Sequence, residues 1–568
     1  MTSATKPIGP YERLAAEVHE WDPKTVDVAT KVNEMVQERR PDLTVEHIGS
    51  TSVPGLPGKG IVDLSIETTP DDIPAVVEVL YDLGFGPQPG PDPWPPSRPM
   101  PVGSYEMDGH QYRIHLHVQP VGGDFPRDIA FRDALRLDPD LRKQYELLKR
   151  GITDAGPVEG LRYTHSKTAW ILQVYRRLGY APPPIAPPST IGILGGGQLG
   201  RMLGFAAREM GYRIAALDPD PDAPITGVAD PLEVGAYDDV AAARRMAEGC
   251  SIITYELEHV GQQVVAALED RKRPIRPGPY PLKLTADRVA ERKFVEANEG
   301  RVAEWREVAG PSEMFEAIAE LGYPLRLKAV RGGYDGRSQE RLRSHADLEG
   351  IDPRIGWPAL IERELDFECE LSVVVARNVD GISRTFPVAR NTHDNGILAE
   401  SVVPAGVPES VEEEAATLAK NLATSMGLVG TLTVELFLMR DGSLVVNELA
   451  PRVHNSGHWS IEGAATSQFE QHIRAICGLP LGSVEMRAPA VAMVNLLGEG
   501  APRPAHPTGI YEALEIPDTH LHIYDKHNVF ERRKMGHVTA LGSTPEEALA
   551  RAREAAAHIG WAPVPPEA

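Results

Sequence analysis

Two glutamates flank a short hairpin turn in the segment TVELFLMRDGSLVVNELAPR. Asp441 and Gly442 form a predicted two-residue turn, because both residue types tolerate positive φ. Counting outward pairs Leu438 with Val445 and places Glu435 directly opposite Glu448. Like charges in register destabilise a sheet, and a divalent cation removes that conflict. Carboxylates combined with substrate phosphates are ligands that Mg²⁺ prefers, so the hairpin predicts a magnesium site.

Two other interpretations of this hairpin stay open. The two glutamates would cost little free energy if both lay on a solvated face of the sheet. A β-bulge would also shift the register of the strands, and Asn447 would then turn toward the metal.

A glycine-rich loop follows Lys328 in the segment YPLRLKAVRGGYDGRSQ. Lys328 ends a predicted strand, and Gly332, Gly333 and Gly336 come after it. Glycine lets backbone N–H groups approach phosphate oxygens, and a lysine on the strand adds a positive charge beside them. Such a loop alone is as often a plain turn. Together with the paired glutamates it predicts a site for ATP and Mg²⁺.

A second glycine motif, TIGILGGGQLGRM, begins at Thr190. Gly195, Gly197 and Gly200 satisfy G-x-G-x-x-G after an apolar strand, and Asp218 ends the next apolar run. This pattern alone fits a dinucleotide-binding fold and hydride transfer. The helix that starts after the glycines is in any case a reasonable anion site.

The elements that must position these motifs alternate between strand and helix. From Thr190 onward, apolar strands alternate with amphipathic helices, which predicts a parallel doubly wound unit. The proline-rich segment APPPIAPPS cannot continue a helix, so the main boundary is expected there. The predicted units are residues 1–180, a linker at 181–189, a Rossmann-like unit at 190–290, a less regular α/β unit at 291–487 and a β-rich unit at 488–568.

Composition and charge exclude several classes of protein. A chain of 568 residues needs more than one core, and its net charge of -23 argues against a general nucleic-acid partner. No apolar run approaches the roughly 20 residues of a membrane span, and MTSATKPIGPYERLAAEVHEW lacks an apolar signal core. We therefore expect a cytoplasmic protein without a membrane partner. The scattered cysteines, Cys250, Cys369 and Cys477, predict neither disulfides nor a zinc knuckle.

From Thr190 to about Ile559 the chain resembles the N5-carboxyaminoimidazole ribonucleotide synthetases, a family of ATP-grasp enzymes in purine biosynthesis. The matching stretches occur in the family's order: GILGGGQLGRM, TYELEHV, ADRVAERKF, KAVRGGYDGRSQ, HDNGIL, NELAPRVHNSGHWSIEGAATSQFEQHIRAICGLPLG and RRKMGHV. The resemblance implies a pre-ATP-grasp Rossmann-like domain, an ATP-grasp domain and a small β-rich C-terminal domain, so the expected fold class is α/β and α+β multidomain. It also assigns the motif at Thr190 to ribonucleotide binding, and no nicotinamide is then expected.

The implied reaction converts ATP and bicarbonate into carboxyphosphate, whose carboxyl group passes to the exocyclic amine of aminoimidazole ribonucleotide. Carboxyphosphate hydrolyses readily, so the glycine-rich loop must close and exclude water. The family also implies a homodimer. Ser338 stands where the family usually has glycine, which keeps an ATP-grasp ligase with another acceptor as the alternative. A non-catalytic nucleotide-binding regulator is the third interpretation.

The resemblance implies roles for individual residues. The set expected to bind ATP is Arg288, Lys328, Gly333, Tyr334, Asp335, Gly336, Arg337, Ser338, Gln339, Glu362, Arg363, Glu364, Leu365, Glu370, His393, Asn447 and Glu448. The expected metal ligands are Glu435 and Glu448. The expected catalytic pocket for bicarbonate and carboxyphosphate comprises Arg452, His454 and Asn455, with Tyr334 and Asp335 closing over it. The expected substrate contacts are Gly197, Gln198, Leu199, Glu256 and Glu258, with Arg533 and Lys534 clamping the 5′-phosphate.

Residues from about Pro10 to Tyr180 resemble the GrpB-like family, a branch of the nucleotidyltransferase superfamily. The resemblance rests on VEHIGSTSVPGLPGKGIVDLSIE, RIHLHVQP, FRDALRLDPDLRKQYELLKR and YTHSKTAWI. It implies a nucleotidyltransferase-like α/β fold for this region.

The chemistry expected of a nucleotidyltransferase is only partly present. Nucleotidyl transfer needs a Gly-Ser turn for phosphate and two or three carboxylates for paired metals. The turn and Asp63 are present, but Ser65 stands where the second acid would. His115 and His117 share one strand face and are either metal ligands or structural histidines. The role of this region stays open between nucleotidyl transfer and docking, regulation or small-molecule binding.

Overall fold

The computed structural model describes residues 6–89, 94, 96–154, 156–180, 183–269, 273–332, 339–351 and 355–563. The chain separates into two compact units, residues 1–183 and 184–568, with the division inside the proline-rich segment. Within the described ranges, none of the helices is both long enough and apolar enough to cross a membrane.

The first unit packs helices against a mixed sheet. Its strands are β1 Val45–Ile48, β2 Val62–Thr68, β3 Val102–Met107 and β4 His110–Pro120, in the order β1-β2-β4-β3. Its helices are α1 Lys24–Arg39, α2 Ile73–Leu83, α3 Phe125–Leu137, α4 Pro139–Thr153 and α5 Gly160–Arg177. Strands β2 and β4 run parallel to each other. Helix α1 buries Val28, Val32 and Val36 on one stripe, because residues four apart share a helix face.

The second unit begins with a parallel sheet. Its strands are β5 Thr190–Leu194, β6 Arg213–Asp218, β7 Leu232–Val234 and β8 Cys250–Tyr255, in the order β7-β6-β5-β8. The helices of this region are α6 Gln198–Glu209, α7 Val240–Met246, α8 Gln262–Glu269 and α9 Pro279–Thr285. Helices cover both faces of such a sheet, which explains the nearly continuous apolar runs of β5 and β6.

A small antiparallel sheet follows helix α10 Arg288–Ala297. It contains β9 Trp305–Val308, β10 Leu325–Ala329, β11 Gln339–Leu342 and β12 Ala359–Arg363, in the order β11-β10-β12-β9, with helix α11 Pro311–Leu321. Met314, Ile318 and Leu321 of α11 pack in the same core as Leu325 and Leu327 of β10.

A larger sheet forms the body of the second unit. Its strands are β13 Phe367–Arg377, β14 Ser383–Thr385, β15 Ala389–Asp394, β16 Ile397–Val403, β17 Gly430–Met439, β18 Leu444–Ala450, β19 Ala490–Leu497, β21 Thr519–Ile523 and β23 Lys534–Gly542. Their order is β18-β17-β13-β15-β16-β19-β23-β21, and β14 pairs with β13. A separate sheet contains β20 Arg503–Thr508, β22 Asn528–Val529 and β24 Gly560–Pro563. The helices are α12 Glu409–Ser425, α13 Ser460–Gly463, α14 Gln468–Ile476, α15 Ile510–Glu515 and α16 Pro545–His558.

These sheets and their packed helices confirm the predicted α/β and α+β multidomain class. The pairing of β16 with β19 makes the large sheet continuous across residues 487 and 488. The acidic hairpin of β17 and β18 therefore lies at one edge of a sheet that also contains the C-terminal strands.

Candidate functional site

The hairpin of β17 and β18 pairs Glu435 with Glu448, as predicted, but its loop length and the residue pairing next to the loop differ from the prediction. The predicted two-residue turn is wrong. The Met439 N–H donates to the Ser443 carbonyl at 2.9 Å, so the loop has three residues, and Gly442 adopts positive φ (84°) at its end. The predicted pairing of Leu438 with Val445 is also wrong, because Leu438 pairs with Leu444.

A β-bulge then restores the predicted register of the acids. The strand pairing shifts between Glu435 and Leu436, which leaves Asn447 as the extra residue on β18. The Asn447 Nδ2 donates to Glu435 Oε2 at 3.3 Å. The predicted bulge is therefore present, but it keeps Glu435 opposite Glu448 instead of breaking their register, and it brings Asn447 against Glu435.

Glu435 is a largely enclosed carboxylate. Its side chain is 18% exposed, and His454 Nε2 lies 3.3 Å from its Oε1. Burial and the negative charge of Glu448 raise the pKa of Glu435. Glu448 itself is exposed. The low exposure of Glu435 argues against the interpretation in which both glutamates lie on a solvated face.

His454 is held in one orientation beside Glu435. Its Nδ1 accepts a hydrogen bond from the Ser456 N–H at 3.3 Å, and burial lowers the pKa of the ring. A neutral ring that accepts at Nδ1 carries its proton on Nε2, which faces Glu435. The Gln468 side chain accepts from the His454 N–H at 3.0 Å and donates to the His454 carbonyl at 2.7 Å. The histidine is thereby fixed from its backbone and from its ring.

Asn455 carries an unsatisfied amide in the same loop. The residue is 6% exposed, and within the described residues neither its Oδ1 nor its Nδ2 has a hydrogen-bond partner. Buried amides in native proteins are normally hydrogen-bonded, and each unmade bond costs about 1–3 kcal/mol. A polar ligand that reached this amide would satisfy both atoms.

Lys328 lies in a buried ionic network. It forms an ion pair with Glu362 of β12, and the second oxygen of that carboxylate lies 3.1 Å from Arg292 Nη2. Burial lowers the pKa of Lys328. Burial alone would raise the pKa of Glu362, but Lys328 and Arg292 lower it to about 2. The predicted ATP residues Lys328 and Glu362 are thus brought into direct contact.

The sequence reasoning missed Glu291 and Arg292, which link this network to the acidic hairpin. Arg292 Nη1 lies 3.0 Å from Glu291 Oε1, and Glu291 Oε2 accepts the Leu449 N–H at 3.1 Å. Burial raises the pKa of Glu291. Both residues stand in the stretch ADRVAERKF, but an acid beside a base on a helix usually indicates a solvated face. Only the burial of α10 reveals their role.

Other predicted ATP residues divide into two groups. His393 Nδ1 donates to Glu370 across β15 and β13, and although burial alone would lower its pKa, Glu370 and Glu435 raise it. Gln339 begins β11 and pairs with Lys328.

The side chains of Arg363 and Glu364 instead form ion pairs with Glu304, Arg326 and Arg341. Leu365 is half-buried, and the Arg288 N–H donates to the Val330 carbonyl at 3.0 Å. The predicted residues Gly333, Tyr334, Asp335, Gly336, Arg337 and Ser338 lie outside the described residues.

The glycine motif after β5 is occupied by carboxylates of the chain itself. Glu256 accepts the N–H groups of Gly197 and Gly200, both at 2.6 Å. Asp218 accepts the Gly196 N–H at 2.7 Å. Burial raises the pKa of Glu256. The predicted anion site at the start of α6 therefore holds an internal anion. Of the remaining predicted contacts, Gln198 begins α6 and Leu199 is buried.

Glu258, Lys534 and Arg533, the other predicted substrate residues, and Arg452 of the predicted catalytic pocket have the following contacts. Arg452 Nε is 2.8 Å from Glu258 Oε1. Lys534 lies close enough to His454 for its positive charge to contribute to the low pKa of the histidine. Arg533 covers the Phe530 ring with its guanidinium 5.1 Å from the ring centroid.

Three further histidines, His458, His522 and His537, lie together and were not among the predicted site residues. His458 and His537 are fully buried, each Nε2 lacks a hydrogen-bond partner among the described residues, and their ring centroids are 4.9 Å apart. His522 stacks on His537 at 4.4 Å. The pairing of β21 with β23 brings His522 and His537 side by side.

Comparison with known proteins gives matches along most of the chain. Residues 189–286 match the ribonucleotide synthetase preATP-grasp domain, residues 293–469 the ATP-grasp domain and residues 491–551 the phosphoribosylaminoimidazole carboxylase C-terminal domain. The N5-carboxyaminoimidazole ribonucleotide synthase of Bacillus subtilis (strain 168) is 42% identical over 365 residues, which cover 64% of this chain and 94% of that protein. The chain belongs to the N5-carboxyaminoimidazole ribonucleotide synthase family.

Solved N5-carboxyaminoimidazole ribonucleotide synthetases share the fold of the second unit. An ADP complex is 42% identical, with a TM-score of 0.61 over 66% of this chain and 97% of that one. The Aspergillus clavatus synthase, solved with ADP and 5-aminoimidazole ribonucleotide, is 31% identical, with a TM-score of 0.60 over 65% of this chain and 98% of that one. The predicted resemblance to this family of ATP-grasp ligases is confirmed. The dinucleotide interpretation of the motif at Thr190 gives way to the preATP-grasp domain.

The first unit has its own match. Residues 13–177 match the GrpB protein family, which confirms the second predicted resemblance.

Proposed function

We propose that the chain uses ATP and bicarbonate to carboxylate 5-aminoimidazole ribonucleotide, giving N5-carboxyaminoimidazole ribonucleotide by way of carboxyphosphate. The observation that carries the proposal is the cross-strand pair of Glu435 and Glu448, with His454 against Glu435 and, at the next residue, an Asn455 amide that has no hydrogen-bond partner among the described residues. The complexes of relatives with ADP and with 5-aminoimidazole ribonucleotide support the same ligands here.

We propose Mg²⁺ as the cofactor and Glu435 and Glu448 as its protein ligands. The fit rests on the donor set: two carboxylates in cross-strand register, of which the enclosed Glu435 has a raised pKa. When bound, Mg²⁺ would neutralise charge on the ATP phosphates. Asn447 and His454 each contact one oxygen of Glu435, so they orient that carboxylate.

The residues of the chain would divide the remaining work as follows. Lys328, held by Glu362, would place a positive charge beside the phosphates of ATP. Arg452, oriented by Glu258, and the amide of Asn455 would bind bicarbonate and carboxyphosphate. Lys534 and Arg533 would bind the 5′-phosphate of the ribonucleotide. The proposed role of the loop from Gly333 to Gln339, whose residues 333–338 lie outside the described residues, is to bind ATP and to exclude water from the reaction.

The test is an ADP-release assay on the full chain in which bicarbonate or 5-aminoimidazole ribonucleotide is omitted in turn. We expect ADP release to require both, together with transfer of isotopically labelled bicarbonate into the ribonucleotide. Release of ADP that responds to bicarbonate but not to the ribonucleotide would instead support an ATP-grasp ligase with another acceptor. Binding of ATP without turnover would support a regulator.

We also propose a cytoplasmic homodimer and the domain division 1–180, 190–290, 291–487 and 488–568, with a linker at 181–189. Light scattering on the purified chain tests the dimer, and limited proteolysis tests the linker. A monomer, or cleavage outside the linker, would contradict these proposals.

A further inference from the structure

The first unit contains a cluster of three side chains whose types ligate metals, none of them among the residues assigned to the ligase reaction. Strands β2 and β4 are parallel neighbours, with Asp63 beside His115 and Ser65 beside His117. Alternate residues of a strand point to the same face, so these side chains share one side of the sheet. The three potential ligand atoms all lie within 4.8 Å of one another.

We propose that Asp63, His115 and His117 bind one divalent transition-metal ion of the Zn²⁺ class. Two imidazoles and one carboxylate are a donor set that favours Zn²⁺, Co²⁺ or Fe²⁺ over Mg²⁺. Three protein ligands also leave a position for water or a ligand, as in catalytic zinc sites.

The distances from the Asp63 carboxylate to the two imidazoles suit such an ion. Asp63 Oδ1 lies 3.3 Å from His115 Nδ1 and 3.8 Å from His117 Nε2. Metal–ligand bonds of about 2.0–2.1 Å at tetrahedral angles separate neighbouring donors by about 3.3–3.4 Å. The first distance already has this value, and the second needs a shift of about half an ångström.

The surroundings orient the ligands. The second ring nitrogen of His115, Nε2, lies 3.0 Å from the hydroxyl of Tyr11. A partner on the far nitrogen is typical of metal-binding histidines, because it fixes the tautomer and the ring plane. The side chains of Asp63, His115 and His117 are 26%, 15% and 16% exposed, so the cluster is enclosed but reachable.

The backbone at Gly49 is shaped around the same carboxylate. Gly49 has a φ of 71°, and a Cβ there would lie 2.4 Å from Asp63 Oδ2. The Gly-Ser turn therefore passes directly over the proposed ligand. The missing acid at Ser65 also gains an explanation, because His117, beside it on β4, supplies the third donor.

The test measures Co²⁺ and Zn²⁺ binding by the full chain, with Co²⁺ absorption spectra and metal content after dialysis. The variants are Asp63→Asn and His117→Gln. The matched control is His110→Gln, which changes an exposed histidine at the start of the same strand. We expect the wild type and His110→Gln to hold about one equivalent more metal than the other two variants. We expect the affinity of this site to fall by more than about 100-fold, since loss of a ligand exceeds the effect of its outer partners.

Equal metal content and equal Co²⁺ spectra in all four proteins would overturn the proposal. Circular dichroism reports whether each variant folds. If Asp63→Asn unfolds, His117→Gln decides alone, because His117 has the longer contact to Asp63 and contributes less to the apo structure.

Discussion

Replacing Glu435 by glutamine should stabilise the ligand-free protein while it destroys the activity. The replacement removes one of two like charges in cross-strand register but keeps the shape of the side chain. Glutamine can still accept a hydrogen bond from His454 Nε2–H. Its amide nitrogen can donate to the Asn447 side-chain oxygen after the Asn447 amide flips. The change therefore isolates the effect of the charge.

The expected gain follows from Coulomb's law. Two unit charges roughly 5 Å apart at an effective dielectric of about 20 repel by about 3 kcal/mol. Glu448 is exposed and partly screened by water, so we expect a gain of about 1–3 kcal/mol.

The gain should depend on pH in a defined direction. The folded pKa of Glu435 is raised, so its charge destabilises the fold only above the unfolded value of about 4.3. The loss of folding stability that this charge causes grows as the pH rises from the unfolded pKa to the folded pKa, and it is complete above the folded pKa. Glu435→Gln should therefore exceed the wild type in stability at pH 8 and match it near pH 4.

Calorimetric unfolding of the second unit, with Glu368→Gln as control, provides the measurement. Glu368 is an exposed strand acid two residues from Glu370, and its replacement should change stability by less than about 0.5 kcal/mol. Mg²⁺ and ADP should stabilise the wild type and the control more than Glu435→Gln. The reasoning fails if Glu435→Gln is no more stable than Glu368→Gln at pH 8, or if it keeps the full response to Mg²⁺ and ADP.

Three further predictions concern other parts of the second unit. Glu362→Ala should lower the free energy of unfolding by about 3–5 kcal/mol, since it leaves two buried cations unpaired. The control is Glu304→Ala, which removes an exposed ion pair; calorimetry should find its stability within about 1 kcal/mol of the wild type. Asn455→Ala loses no hydrogen bond among the described residues, so its melting temperature should hardly change while kcat falls about 100-fold in the ADP-release assay; normal turnover would refute its role. Gly200→Ala should lower the free energy of unfolding by about 1–3 kcal/mol, because a Cβ there would lie 2.4 Å from a backbone carbonyl oxygen. The control, Gly249→Ala, places its Cβ in open space and should leave the free energy of unfolding unchanged in the same measurement.

The acidic hairpin shows how far sequence periodicity reaches. Alternation and the Asp-Gly pair were sufficient to predict the hairpin and the pairing of Glu435 with Glu448. The prediction was right because two errors of one residue cancelled: a three-residue loop and a bulge at Asn447. Turn type and bulges depend on local backbone geometry that residue types alone do not determine.

Contacts between segments that are distant in the chain could not be predicted from the sequence. Glu291 and Arg292 look like a solvated helix face until α10 is packed beneath β12 and β18. The cluster of Asp63 with His115 likewise needs the strand order β1-β2-β4-β3, which makes β4 a parallel neighbour of β2. Hydrophobic patterning predicts each strand but not its neighbours.

The carboxylate of Glu256 has a consequence for ligand choice. Glu256 already accepts hydrogen bonds from the N-terminal end of α6, so a phosphate that bound there would have to displace this carboxylate. The electrostatic gain from binding the phosphate would then be offset by the loss of the contacts of Glu256. The N–H groups of Gly197 and Gly200 already have an acceptor, so a dinucleotide phosphate would gain little there. We therefore expect this motif to disfavour dinucleotides through backbone amides that are already hydrogen-bonded, without any clash against the unwanted molecule.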